Sequence, residues 1–241
     1  SGKTTTLYGA LSELNQPGNK VITVEDPVEY RLPRINQVQV NPKIGLDFST
    51  VLRATLRQDP DILLVGEMRD QETVEIGLRG AMTGHLVLTT LHTNDAISSA
   101  LRLMDMGAPG YLVASALRAI IAQRLVRRIC RYCHEEHEVE AGEMIWLSNL
   151  FGEGVHAHRF HRGRGCQSCN FTGYAGRIGV FELLELDQPM MDALRRNDPE
   201  GFARAAREHV EYRPLVDMAF EYATQGITTI DEVLRLAEVV S

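Results

Sequence analysis

The chain has 241 residues, of which 44% are hydrophobic and 24% charged, with a formal net charge of −7. This composition is ordinary for a folded globular protein, gives room for one large domain or two small ones, and argues against broad nucleic-acid binding. No apolar run approaches the roughly 20 residues of a membrane span, and no signal peptide is visible.

Ser1-Gly2-Lys3-Thr4-Thr5 reads as the second half of a phosphate-binding loop, G-x-x-x-x-G-K-[ST]. The expectation is therefore a fragment whose upstream strand and glycines lie outside it. In such a loop backbone N–H groups and a helix N-terminus surround the phosphates, the lysine reaches the outer ones, and the hydroxyl holds magnesium. By itself the motif is equally an ordinary helix start, with Ser1 as cap and Leu7, Ala10, Leu11 and Leu14 as the buried stripe.

Further along, strand and helix patterns alternate. Residues 21–24, 62–65 and 86–91 read as buried strands, and Val38 with Val40 as an extra edge strand. Helical patterns occupy 49–58, 71–82, 95–106 and 110–128. In the last of these Val113, Leu117, Ile120, Ile121 and Leu125 share a face. The alternation predicts an α/β domain with a mostly parallel sheet. From residue 129 the texture changes to a cysteine-bearing stretch rich in Gly, His and Arg, followed by a β-like run at 177–186. Helices are expected at 188–197, 200–209, 213–225 and from Thr229, where Thr229-x-x-Glu232 reads as a capping box.

Ligands of open parallel sheets bind beyond the carboxyl ends of the strands. Those ends carry Lys3 and Thr4, then Glu25, Asp26 and Glu29, then Gly66 and Glu67, then His92. A lysine, a hydroxyl, carboxylates and a histidine at one sheet edge are the parts that grip a nucleotide–magnesium complex and activate water. His85 and His92 are separated by about 23 Å of extended chain, so His92 is expected at the ligand edge and His85 at the opposite end.

Cys130-x2-Cys133 and Cys166-x2-Cys169 form two knuckles suited to tetrahedral zinc, a structural site whose four thiolates leave no open position. His134, His137 and His161 are surplus to that set and are expected at the surface. Arg124, Arg127, Arg128, Arg131, Arg159, Arg162 and Arg164 make the region basic, either as a solvated face or as a contact for an acidic partner or anionic lipid heads.

Taken together, SGKTTTLY, VITVEDPVEY with INQVQVNPKIGLDF, LRQDPDILLVGEMRD and TGHLVLTTLHTNDA resemble, in order and wording, the Walker A, Asp box, Walker B and His box of the assembly ATPases of bacterial type II secretion systems and type IV pili. The resemblance covers nearly the whole chain. It implies a RecA-like P-loop core over residues 1–128, a tetracysteine zinc-binding insert over 129–170 and a mostly helical C-terminal part over 171–241. It further implies a cytoplasmic homo-hexamer, peripheral at the inner membrane, that hydrolyses ATP against a platform protein to build a pilus or pseudopilus, without nucleic acid. Carried over by motif, Ser1, Gly2, Lys3, Thr4 and Thr5 bind the nucleotide, and Thr4 and Glu67 belong to the magnesium shell. Glu29 activates the attacking water, and His92 meets the γ-phosphate. Extension and secretion members carry a tetracysteine insert and retraction motors generally lack it. The wording around Met144-Ile145-Trp146-Leu147 and Arg162-Gly163-Arg164-Gly165 is closest to pilus-extension ATPases of the mannose-sensitive haemagglutinin type. A DNA-dependent helicase or translocase and a non-hydrolysing scaffold are the competing readings.

Overall fold

The computed structural model describes residues 2–240, so the expected contact at Ser1 lies outside the described residues. In chain order the elements are α1 (Lys3–Leu14), β1 (Val21–Glu25), β2 (Asn36–Gln39), α2 (Phe48–Leu56), β3 (Ile62–Val65), α3 (Gln71–Met82), β4 (Leu86–Thr89), α4 (Ala96–Asp105) and α5 (Gly110–Ala116). There follow β5 (Ala119–Ile129), β6 (His134–His137), α6 (Ala141–Phe151), β7 (Phe160–Gly163) and β8 (Tyr174–Glu185). The chain continues with α7 (Gln188–Arg195), α8 (Pro199–Glu208), α9 (Leu215–Thr224) and α10 (Ile230–Val240). Two compact units emerge: Gly2–Ile121 with Leu183–Tyr212, and Ala122–Glu182 with the segment from Arg213 onward.

The first unit is built on a sheet of order β2-β1-β3-β4, every neighbouring pair parallel. Val21, Ile62 and Leu64 pack with Tyr8 and Leu11 of α1, while the pleat turns Ile22, Val24, Leu63 and Val65 the other way, equally buried. Helices α2 and α3 lie against β1 and β4. A strand covered on both faces is buried along its whole length, which is why β3 is an uninterrupted apolar run and why the two polar residues of β1, Thr23 and Glu25, are buried with their neighbours. Helices α2, α3, α4, α7 and α8 each start at an aspartate, Asp47, Asp70, Asp95, Asp187 and Asp198, whose carboxylate accepts a first-turn N–H.

Three expectations need correction. The helix read over 110–128 ends at Ala116, and Leu117 is already extended. Residues 119–129 instead form β5, which pairs with β8, so Ile120, Ile121, Val126 and Ile129 serve a strand, the conformation their branched side chains favour. Strand β4 stops at Thr89 rather than Leu91 and is only half-buried, with Leu86 44% exposed, because among the described residues it is an edge of the sheet. At the last helix the Glu232 N–H does reach Thr229 Oγ1, at 3.4 Å, but the Glu232 carboxylate is engaged by Arg127.

In the second unit, β6 and β7 form an antiparallel ribbon that brings the two cysteine pairs together. The chain segments at Gly163 and Gly173 touch backbone to backbone: a Cβ on Gly163 would sit 2.1 Å from the Gly173 carbonyl oxygen. Only glycine permits that approach. Phe220 of α9 stacks on Phe151 at 4.0 Å and meets Phe160 at 6.1 Å, which packs α6 and β7 onto the C-terminal helices. No helix among the described residues is long and apolar enough to cross a membrane.

Candidate functional site

The carboxyl end of β3 is stitched to those of β1 and β4 by backbone and hydroxyl contacts. Gly66 N–H donates to Val24 O at 2.7 Å, Thr90 Oγ1 donates to Gly66 O at 2.7 Å, and Met68 N–H donates to Thr90 O at 3.4 Å. A side chain at Gly66 would press on Val24 O and Glu25 Cα, at 3.2 and 3.3 Å, so glycine there lets β3 turn tightly alongside β1. The turn delivers Glu67, whose Oε1 lies 3.0 Å from His92 Nε2. Glu67 Oε2 accepts from Arg69 Nε at 2.6 Å. Lys3 Nζ donates to the Leu91 carbonyl at 2.8 Å, immediately before His92. Lys3, Glu67 and His92, far apart in sequence, thus meet at one sheet edge.

Arg69, hydrogen-bonded to Glu67, holds that carboxyl below its usual range against the upward push of partial burial; the charges of His92 and Lys3 act in the same direction as Arg69. The site therefore keeps an ionised carboxylate beside a lysine. Thr4 and Thr5 are exposed in the first turn of α1, where helix N–H groups lack intrahelical partners. The N-cap is Gly2, with a left-handed backbone, and a cap from Ser1 lies outside the described residues.

Glu29 is placed differently. Its side chain is exposed on the segment after β1, and its backbone N–H donates to Tyr8 Oη at 3.3 Å. Glu25 is buried and accepts from Tyr8 Oη and Thr23 Oγ1, so it belongs to the interior rather than to the open edge. His85 sits at the far end of β4, with Nδ1 2.9 Å from Gly80 O and 3.0 Å from Thr83 Oγ1, where it closes α3. Arg69 and Tyr8 were not singled out by sequence. Both lie inside the motifs, but nothing in their spacing marks their contacts.

The four cysteines form one cluster, all sulfurs within 4.8 Å of one another and none in a disulfide. Cys130–Cys166, Cys133–Cys169 and Cys166–Cys169 Sγ separations are 3.9, 3.8 and 3.8 Å. Four thiolates at about 2.3 Å from a central zinc in a tetrahedron stand about 3.8 Å apart, so the cage fits that ion. Cys169 Sγ also accepts N–H bonds from Cys166 and Gly173, at 3.2 and 3.3 Å. These bonds support thiolate character and orient the ligand. The histidines stay outside the cage: His134 stacks on His161 at 4.5 Å, and His137 Nε2 lies 3.3 Å from Glu143 Oε2. His137 and His161 are half-buried structural side chains rather than the expected surface residues, and each has a buried Nδ1 without a hydrogen-bond partner.

A parallel sheet with a lysine-bearing helix start and a Glu–His pair at its carboxyl edge defines a nucleotide-type α/β fold. It closely matches the crystal structure of the pilus retraction motor PilT with bound ADP, with a TM-score of 0.70 and 28% identity over 98% of this chain and 58% of that one. The Legionella pneumophila ATPase DotB shares the fold, with a TM-score of 0.69 at 22% identity over 98% of this chain and 57% of that one. The profile of the Type II/IV secretion system protein family matches residues 1–235, and the chain belongs to that family. Type II secretion system protein HxcR of Pseudomonas aeruginosa is 44% identical over 236 residues, 98% of this chain and 46% of its own length. The type IV pilus assembly ATPase PilB of Thermus thermophilus is 42% identical over 234 residues, 97% of this chain and 26% of its own length. The chain spans less than half the length of these two relatives.

Proposed function

We propose that this chain is the ATP-hydrolysing part of a motor that powers assembly of a type IV pilus or a type II secretion pseudopilus. The convergence of Lys3, Glu67 and His92 carries the reading, since family membership alone does not say that this chain kept its chemistry. Lys3 and the N–H groups of Gly2, Lys3, Thr4 and Thr5, with Ser1, are the nucleotide grip. Thr4 and Glu67 are the magnesium-side groups, His92 the γ-phosphate contact, and Glu29 the carboxylate that orients the attacking water. Bound nucleotide with magnesium supplies the phosphoryl group and the charge that draws it out; the residues bind, neutralise and exclude. Zinc in the cage of Cys130, Cys133, Cys166 and Cys169 is structural.

Within this reading residues 1–128 act as the motor core, 129–170 as the zinc-binding insert and 171–241 as the helical C-terminal part. The working form is a cytoplasmic homo-hexamer against an inner-membrane platform protein, and the insert's wording favours pilus extension. Lys3→Ala in the full-length protein removes the charge that neutralises the outer phosphates and should abolish turnover. Wild-type turnover in that variant would overturn the motor reading.

A further inference from the structure

A buried polar cluster lies beneath the segment that carries Glu29. Tyr8, on α1 with Lys3 and only 1% exposed, donates its hydroxyl proton to Glu25 Oε2. The same hydroxyl oxygen accepts the Glu29 backbone N–H at 3.3 Å and Gln37 Nε2 at 3.4 Å. Gln37, buried on β2, also donates from Nε2 to Tyr30 O at 3.1 Å, and its Oε1 accepts the Leu32 N–H at 2.7 Å. Thr23 Oγ1 donates to the other oxygen of Glu25, and Gln37 Nε2, whose two hydrogens are shared among its neighbours, lies 3.4 Å from that oxygen, which closes the cluster. The Tyr8 ring meets Tyr30 edge-on, with centroids 4.7 Å apart.

A buried tyrosine hydroxyl is satisfied by a single partner. Here two buried side chains, neither of them on the 29–32 segment, fasten its backbone at Glu29, Tyr30 and Leu32. The segment itself is largely exposed and has no strand of its own there. Burial and the neighbouring Glu25 push the Tyr8 hydroxyl up to about 12, so it remains a donor throughout any working pH.

We propose that Tyr8 and Gln37 are positioning residues for Glu29, fixing its backbone relative to the helix that carries Lys3 so that its carboxylate is presented in one place. This rests on the reading of Glu29 as the water-orienting carboxylate. A carboxylate that acts on water contributes mainly in the transition state, and a displacement of about 1 Å can lower the rate by roughly 10²-fold. Nucleotide affinity resides in Lys3 and the start of α1 and does not depend on where Glu29 points.

The test is steady-state ATP hydrolysis by the full-length protein and its Tyr8→Phe, Glu29→Gln and doubly substituted forms. Tyr8→Phe keeps the ring and its contact with Tyr30 and removes only the hydroxyl. Its kcat should fall roughly 10- to 100-fold with KM for ATP within about twofold. In the Glu29→Gln background the same change should have no further effect on kcat, because the group being positioned is gone. Gln37→Met, which cuts the anchors at Tyr30 and Leu32, should behave alike and serves if Tyr8→Phe does not fold. Normal kcat in both Tyr8→Phe and Gln37→Met, or a further loss of equal size in the Glu29→Gln background, would overturn the positioning role alone. Wild-type kcat in Glu29→Gln would overturn the reading of Glu29, and the positioning role with it.

Discussion

The pair of Arg127 and Glu232 offers a sharp test of what holds the cysteine-bearing unit together. Glu232 is 5% exposed, and its Oε1 accepts from Arg127 Nε and Nη2 at 2.9 and 2.7 Å. Its Oε2 accepts the Arg127 backbone N–H at 2.8 Å, and the guanidinium lies 3.9 Å above the Tyr174 ring. Removing one partner of a buried pair leaves an uncompensated charge and costs about 3–5 kcal/mol. Two features move Arg127→Met toward the lower end: the Arg127 side chain is 39% exposed, and Arg235 Nη1 waits 3.5 Å from the same carboxylate. The loss of the cation over Tyr174 adds about 0.5–1 kcal/mol, for a total near 3–4 kcal/mol. Replacing both residues by methionine removes the stranded charge but leaves a backbone N–H without its acceptor, a residual cost of about 1–3 kcal/mol. The double variant should therefore be more stable than Arg127→Met. Urea unfolding followed by fluorescence measures this locally, because the only tryptophan, Trp146, lies on α6 in the same unit. A double variant no more stable than Arg127→Met would refute the reasoning.

Three other outcomes are expected. Elemental analysis should find about one zinc per chain, and Cys130→Ser or Cys169→Ser should destabilise the unit around Trp146 more than it weakens nucleotide binding; disulfides and no metal under reducing conditions would contradict this. Glu29→Gln should keep ATP affinity and lose about 10²–10⁴ in hydrolysis rate, whereas Glu67→Gln should also weaken the dependence on magnesium; the assignment fails if the two phenotypes are exchanged. Because Arg69 lowers the Glu67 pKa from its ordinary 4.5, that stabilisation is fully present above about pH 4.5 and lost as pH falls through the folded value. The stability gap between wild type and Arg69→Met should accordingly be widest near neutrality and close in acid, and a gap independent of pH would be inconsistent with it.

The sheet and the residues at its carboxyl edge were legible because their signals are local. Ile62–Val65 is an uninterrupted apolar run ended by Gly66, and strands buried on both faces have few other ways to be written. The stretch after Ala116 was not legible, since Leu117, Ile121 and Leu125 fit a helical stripe as well as a strand. Pairing with β8, some 50 residues away, decides between them. The meeting of the cysteine pairs has the same character: two knuckles are visible in sequence, but the ribbon of β6 and β7 that joins them depends on Gly163 and Gly173 touching. Glu67 and His92 could be put at one edge by strand counting, whereas the grip of Arg69 on Glu67 and of Tyr8 on the Glu29 segment are side-chain events with no periodicity. The partner of the Glu232 carboxylate was hidden for a related reason: a capping-box spacing says where a carboxylate can reach, and a half-buried arginine 105 positions earlier engages it instead.

Strand β4 is half-exposed and ends the sheet, and among the described residues no strand hydrogen-bonds along its outer side. Backbone donors and acceptors on such a rim, next to the apolar side chains of Leu86, Val87 and Leu88, are a template for a further strand. A protein cut to these residues is thus expected to be sticky at this rim. It should associate as concentration rises, and a lysine or proline on the rim should suppress that association without touching the lysine–carboxylate–histidine edge.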